Sequence, residues 1–445
     1  MAKLPRGKRR LSSFQIIILG FAAMILLGAL LLMLPISSRE RTVTPFNETL
    51  FTATSAACVT GLVVHDTASY WSAFGQAVIL LLIQIGGMGV VTVAVAFTRL
   101  SGKKISLMQR STMQEAISAH QSGGIVQLTG FIIKVTLALE LLGMLVMLPV
   151  FCGQFGARGV WLSLFHSVSA FCNAGFDLMG SADAQYVSLT GYIGHPLVNI
   201  TLMCLIVIGG IGFLTWEDVR THRHHLKRYR MQSKVILVTT AVLILFPALY
   251  FFCSDFAAFP MGERIFGSLF QSVTPRTAGF NTADLTAMTA GGRCIILVLM
   301  LIGGSPGSTA GGMKTTTVAV LFGNMVSVFR RKEDPRFFGR RVASDAVRNA
   351  GTILTLYLTL FFGSALAISA IEGLPVGDCL FETASAVGTA GLSLGLTPGL
   401  GIASQGILMV LMFIGRVGGL TLIYAALSGG NGGLSKLPQE KIAIG

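Results

Sequence analysis

The stretch Leu50-Phe51-Thr52-Ala53-Thr54-Ser55, followed by Val59-Thr60-Gly61-Leu62, returns three more times along the 445-residue chain. The later copies are Leu164-Phe165-His166-Ser167-Val168-Ser169 with Asn173-Ala174-Gly175-Phe176, and Leu269-Phe270-Gln271-Ser272-Val273-Thr274 with Thr277-Ala278-Gly279-Phe280. The fourth is Leu380-Phe381-Glu382-Thr383-Ala384-Ser385 with Thr389-Ala390-Gly391-Leu392. From phenylalanine to the central glycine is 10, 10, 9 and 10 residues. Downstream of each lies an Ile-Gly pair in an apolar run: Ile85-Gly86, Ile208-Gly209, Ile302-Gly303 and Ile414-Gly415. Upstream of each is a longer apolar run: Phe14–Leu34, Val126–Phe151, Val235–Cys253 and Ala350–Ile371. Repetition at this scale is an architecture in itself.

The unit reads as long helix, short amphipathic segment, glycine turn, second helix. The long runs reach the ~20 apolar residues that cross a bilayer. Composition agrees, at 53% hydrophobic and 12% charged, half the charge of ordinary soluble domains. The short segment cannot cross: about 11 residues from Pro45 to Ser55 make a helix of ~16 Å. It is expected to dip into the membrane and return, which irregular backbone does only where protein or a water-filled path surrounds it. The predicted fold is an all-α membrane protein of four such units in pseudo-fourfold arrangement around one pore. Ordinary loops between eight spanning helices would not keep glycine in register four times.

Net charge is +14, but its distribution does not suit nucleic acid. Basic residues gather at the N-terminus (Lys3, Arg6, Lys8, Arg9, Arg10), in Arg99–Arg110, in Arg220–Lys234 and in Arg330–Arg348. Most acids lie in the alternate connections, among them Asp66, Asp177 and Asp284. This positive-inside pattern places the basic segments and the N-terminus in the cytoplasm. The first apolar run is too long for a signal peptide and lacks a small-residue cleavage site, so it is read as a retained helix. Seven cysteines without a Cys-x-x-Cys pair support neither a zinc site nor a disulfide framework.

Stripping water from a cation requires replacement oxygens, and a ring of backbone carbonyls supplies them without a titratable group. Glycine adopts the left-handed backbone, or the close approach, that aims such carbonyls at an axis. The candidate filter is Val59-Thr60-Gly61, Asn173-Ala174-Gly175, Thr277-Ala278-Gly279 and Thr389-Ala390-Gly391. Short helices entering from outside direct their partly negative C-termini inward, favouring a cation. The absence of carboxylates from these segments favours a monovalent one.

M1–P–M2 units repeated four times, with one filter glycine each, resemble the Trk/Ktr/HKT superfamily of potassium transporters over essentially the whole chain, and the KtrB branch most. The most specific pieces are Gln271–Thr282 and Gly303–Thr316. The resemblance implies K+ as substrate at the filter carbonyls, no covalently bound cofactor and sodium as an activator in several relatives. It also implies a homodimer docked on a cytosolic ring of RCK subunits that bind ATP or ADP. Lys436–Gly445 would pack at the dimer interface, in a bacterial inner membrane. Glycine at all four filter positions, Gly61 included, favours potassium. The units would run 1–100, 101–226, 227–341 and 342–445.

Gly303, Gly304, Pro306, Gly307, Gly311 and Gly312 are incompatible with an unbroken second helix in the third unit. The segment superficially resembles a phosphate loop, yet Met313 separates Gly312 from Lys314 and no strand precedes it. It is expected to lie across the cavity below the filter as the gate, which the resemblance also implies. Arg416 occupies the register place of Gly87, Gly210 and Gly304, in mid-membrane, where arginine costs roughly 2.5–3.5 kcal/mol and faces an interior or a partner. There it either bonds helix carbonyls or holds the gate loop and repels cations. Lys314 contacts the cavity or snorkels toward the cytoplasm. Glu140 has no partner identifiable from sequence, Glu382 and Arg276 are expected to brace the filter, and His166 and Gln271 to cap or pack. Four parallel repeats favour a pore over a carrier with two inverted halves. Asp/Glu/His clusters at catalytic spacing are absent from the sequence, which excludes an intramembrane enzyme.

Overall fold

The computed structural model describes residues 12–100, 107–117 and 124–419; the basic N-terminus, part of Arg99–Arg110 and Lys436–Gly445 lie outside them. Four long helices, Ser13–Leu32, Ile125–Phe155, Met231–Cys253 and Ser344–Glu372, are long and apolar enough to cross a membrane. Leu26, Leu27, Leu141, Leu142, Leu245, Phe246 and Leu366 each stand at least half exposed on them. An apolar surface of this extent requires a lipid or protein partner.

Against each long helix packs a short one: Phe46–Ala57, Arg158–Phe171, Met261–Val273 and Val376–Gly388. Three of these begin directly after a proline (Pro45, Pro260, Pro375) and carry an acid in the first turn (Glu48, Glu263, Asp378), where the helix dipole favours negative charge. Their inner halves are buried and polar: Thr52, Ser55, His166, Ser169, Gln271, Ser272, Glu382 and Ser385. The molecule is thus apolar on its outer helices and hydroxyl-rich where the short helices end, inside an otherwise apolar core.

Each second helix packs on the short helix of the next unit. Ala73–Met88 meets Arg158–Phe171, Pro196–Gly210 meets Met261–Val273, Ala290–Leu301 meets Val376–Gly388, and Ile402–Val417 closes the circle on Phe46–Ala57. These helices have only 16, 15, 12 and 16 residues, fewer than the ~20 that cross a bilayer. Gly89, Gly212 and Gly418, each three residues after an Ile-Gly glycine, take φ of +85, +93 and +90°. That conformation ends the α-helix, and at Gly212 the chain turns by 97°. In the third unit the break widens into a loop, after which Thr315–Phe329 resumes as helix. A two-stranded hairpin, Arg336–Phe337 with Arg340–Arg341, leads to the fourth unit.

Candidate ion pathway and gate

The four central glycines meet. A Cβ added to Gly61 would stand 2.6 Å from the carbonyl oxygen of Ala174, one on Gly175 2.8 Å from that of Ala278, and one on Gly279 2.7 Å from that of Ala390. At Gly391 the nearest atom is the carbonyl oxygen of Thr60, closing the ring. Each contact is to the residue immediately before the next unit's glycine. Such packing admits hydrogen alone, and all four glycines have positive φ, from +70 to +96°.

Two residues before each glycine the backbone is left-handed again: Val59, Asn173, Thr277 and Thr389 have φ of 57, 59, 73 and 52°. For β-branched residues this costs free energy and must be held by the surroundings. The N–H of the residue before each glycine (Thr60, Ala174, Ala278, Ala390) donates to the carbonyl of Ser55, Ser169, Thr274 or Ser385, at 2.8–2.9 Å. Three of those residues add a hydroxyl staple: Ser55 Oγ accepts from Gly61 N, Ser169 Oγ donates to Phe176 O and Thr274 Oγ1 donates to Phe280 O. The nine-residue spacing of the third unit is absorbed here, with Ala278 bonding four residues back where the others bond five.

The residue after each repeat phenylalanine secures the descending strand in three units. Glu382 accepts from Ser393 Oγ, Leu394 N and Thr397 Oγ1 at 2.6, 3.0 and 2.6 Å. His166 Nε2 accepts from Leu178 N, and Gln271 Nε2 donates to Asn281 Oδ1. Arg276 is buried and donates to Thr240 O on the long helix behind the third turn.

On one side of the ring is a cavity of about 390 Å³ lined by all four glycines and by Asp66, Asp177 and Asp284. Asp66 accepts from Ser69 N and from Tyr186 N, pinning two outer loops. Burial pushes the Asp177 carboxyl up to about 6, the Met179 N–H opposing the rise and nearby Asp66 adding to it. Bonds from the Thr286 hydroxyl and backbone N–H hold Asp284 below the usual carboxylate range.

On the other side a cavity of about 230 Å³ is lined by Gly87, Phe213, Gly307, Gly312, Lys314, Glu115 and Arg416, among others. The 303–314 loop lies between this cavity and the ring. Ser305 N and Thr309 N donate to Gly210 O and Gly209 O (2.9 and 3.2 Å), and Gly312 N to Gly415 O (3.1 Å). Gly303 and Gly304 sit against Gly311 and Ala310, folding the loop on itself, while Gly311 lies against Thr389 of the fourth turn and Phe213 N donates to Gly307 O. Lys314 Nζ bonds Ala310 O and Gly311 O at 2.9 and 3.2 Å, so it stiffens the loop rather than reaching outward. Arg416 donates from Nη1 to Thr309 O and from Nη2 to Gly86 O and Gly87 O, the last at 2.9 Å. It ties the loop to the end of the first unit's second helix.

A family model described as TrkH, cation transport protein, matches residues 8–431. The chain belongs to the TrkH cation transport family. It is therefore a multi-pass membrane transport protein and not an enzyme. It is 38% identical to the potassium/sodium uptake protein NtpJ of Enterococcus hirae, over 99% of both chains. It is 37% identical to the Ktr system potassium uptake protein B of Bacillus subtilis, over 92% of both. The solved structure of the potassium transporter TrkH from Vibrio parahaemolyticus shares its fold at a TM-score of 0.73, with 19% identity and coverage of 95% of this chain and 85% of that one.

Several parts of this TrkH-family site escape the sequence. Nothing marks Val59, Thr277 and Thr389 as left-handed, since β-branched residues avoid that region. The hydroxyls of Ser55, Ser169 and Thr274 are visible only as one repeat position that is always Ser or Thr. Glu140 finds its partner 56 residues upstream, where Gln84 Nε2 donates to it at 3.2 Å, and its own carbonyl accepts from Ser167 Oγ of the second short helix.

Proposed function

We propose that this chain is the ion-translocating subunit of a potassium uptake system. Ions enter the acidic outer cavity, lose water to backbone carbonyls around Gly61, Gly175, Gly279 and Gly391, and leave through the inner cavity when the 303–314 loop gives way. The carrying observation is the closed circuit of glycine-to-carbonyl contacts between two cavities. A small-residue ring formed only to pack helices would not need left-handed backbone twice per turn. Peptide oxygens select by number and geometry, and the C-termini of four short helices pointing at the ring favour a positive ion. In this reading each unit is an M1–P–M2 repeat with a re-entrant short helix.

The gate reading rests on the loop's position and on Arg416. A guanidinium beside the exit repels cations while its bonds hold the loop in place. The Ktr relative is named as one protein of a system, which supports a partner subunit. We assign that partner to the cytosolic, nucleotide-binding RCK class, acting on a homodimer of this chain in a bacterial inner membrane with the N-terminus cytoplasmic. The NtpJ relative, named for both potassium and sodium, supports a second reading in which sodium is carried as well as activating. Rubidium uptake into vesicles holding the purified chain, with and without sodium and the cytosolic partner, tests the proposal. Saturable uptake competed by K+ is expected; its absence overturns the proposal, and radioactive sodium uptake separates activation from transport.

A further inference from the structure

Asn173 differs from its three counterparts. Val59, Thr277 and Thr389 hold the same place two residues before a ring glycine, all four buried and left-handed, but Asn173 alone brings an amide. Its Nδ2 donates to Thr309 Oγ1 of the loop at 3.0 Å. That hydroxyl gives its single proton to Phe171 O, also at 3.0 Å, so towards Asn173 it can only accept. The donor count therefore fixes the amide: Nδ2 faces the loop and Oδ1 the other way. Oδ1 is buried without a hydrogen-bond partner, an arrangement that folded proteins avoid unless something else occupies the site. Two further tethers of the loop also meet at Thr309, its N–H on Gly209 O and its carbonyl on Arg416.

We propose that Asn173 is a positioning residue that makes ion selection by the ring depend on the state of the loop. The inference rests on the filter and gate reading above. While the loop is seated, Thr309 holds the amide and points the unpartnered oxygen away from the loop. When the loop leaves, Nδ2 loses its acceptor, the amide turns, and the second filter turn loses one of the contacts that steady its left-handed backbone. On the second turn, selectivity and gate position are coupled through the hydrogen bond between Asn173 and Thr309.

The test is a double-mutant cycle on the full-length chain in vesicles, read as the ratio of rubidium to sodium uptake. Asn173→Thr installs the residue of the third and fourth turns, Thr309→Val removes the hydroxyl and Thr309→Ser keeps it. Asn173→Thr should shift the ratio by about fivefold, the size expected for one neutral hydrogen bond, and Thr309→Val by at least as much, because it also removes the bond to Phe171 O. The double mutant should shift it no further than Thr309→Val alone, and Thr309→Ser should keep the wild-type ratio. Additive shifts, or equal loss of both fluxes at unchanged ratio, overturn the proposal. If Asn173→Thr does not yield monodisperse protein, Asn173→Val, which installs the residue of the first turn, takes its place in the cycle, and an unchanged ratio in Asn173→Val overturns the proposal. A wild-type chain without cation flux would instead refute the functional reading beneath it.

Discussion

Gly175→Ala is the sharpest perturbation of the ring. The new Cβ would lie 2.8 Å from Ala278 O and 2.8 Å from Gly279 Cα. Both are backbone atoms of the adjacent turn, so no flexible side chain can swing aside. The φ of +70° at 175 adds a left-handed penalty of roughly 1–2 kcal/mol for an L-residue, and forcing a methyl into a packed interior costs about 1–3 kcal/mol more. The lower end of the combined range, ~2 kcal/mol, corresponds to about a 30-fold loss if it falls on ion binding in the filter. Relief requires the Ala278 carbonyl to retreat, which enlarges the ring and weakens discrimination by ion size. Rubidium uptake at fixed protein density should fall by at least that factor, and its preference over sodium should decline. Gly191→Ala and Gly363→Ala, where a Cβ meets nothing within 4 Å, are the matched controls and should transport normally. Folded, monodisperse Gly175→Ala with wild-type flux and preference would refute a pathway through the glycine ring.

Arg416→Ala removes a charge-assisted bond to the loop worth about 1.5–3 kcal/mol, so the loop should leave its seat roughly ten- to a hundredfold more often and uptake without the cytosolic partner should rise; unchanged partner dependence would remove Arg416 from the gate. Glu382→Ala leaves three donors around the fourth descending strand without their acceptor, at about 1–3 kcal/mol for each that stays buried; a lowered melting midpoint in detergent is expected, with Glu382→Gln milder because one acceptor oxygen remains. Asp177, raised by burial to about 6, should be largely ionised at an external pH of ~7.5 and neutral at ~5. Acidifying the outside through ~6 should therefore raise the KM for rubidium, and Asp177→Asn should flatten that step. Because the folded carboxyl holds its proton more tightly than the unfolded one, its stabilising effect is complete below about 4 and is lost as pH rises through 6; thermal melts of Asp177→Asn should lack that slope.

The fourfold organisation was legible because it rests on two local signals, apolar length and glycine register. Phe14–Leu34 anticipates Ser13–Leu32, and Val235–Cys253 anticipates Met231–Cys253, to within a few residues. The second helices were less legible. Ala77–Phe97 reads as one apolar run, yet it breaks at Gly89 into Ala73–Met88 and Val90–Leu100. A single glycine between apolar segments carries no composition signal, and only alignment with Gly212 and Gly418 exposes it. Register placed Arg416 opposite Gly87, Gly210 and Gly304, but not its three acceptors. Gly86 and Gly87 lie some 330 positions away; the fourfold reading sets the first and fourth units side by side, but no repeat position marks which carbonyls the guanidinium meets.

The ring and the gate obey different symmetries, and the packing shows why. Backbone carbonyls are alike in every unit, so in the filter reading proposed above four similar turns share the task of dehydrating one ion. Below them the space is too small for four similar side chains. A Cβ on Gly87 would lie 2.6 Å from Cys172 Sγ, and one on Gly304 would strike Ala310. At Gly210 a Cβ would meet only Asn173 Nδ2, at 3.6 Å, but the Gly210 carbonyl is already engaged by Ser305 of the loop. The fourth unit therefore carries the single side chain, Arg416, and the third supplies the single loop. An arginine from each unit would place four positive charges around one exit, with too few carbonyls to satisfy their donors. One loop, tied to the first unit through Arg416, to the second through Gly209, Gly210 and Asn173, and to the fourth through Gly415, has to break contact with three units in order to move. In the gate reading proposed above, that convergence would give a partner subunit a single element to displace.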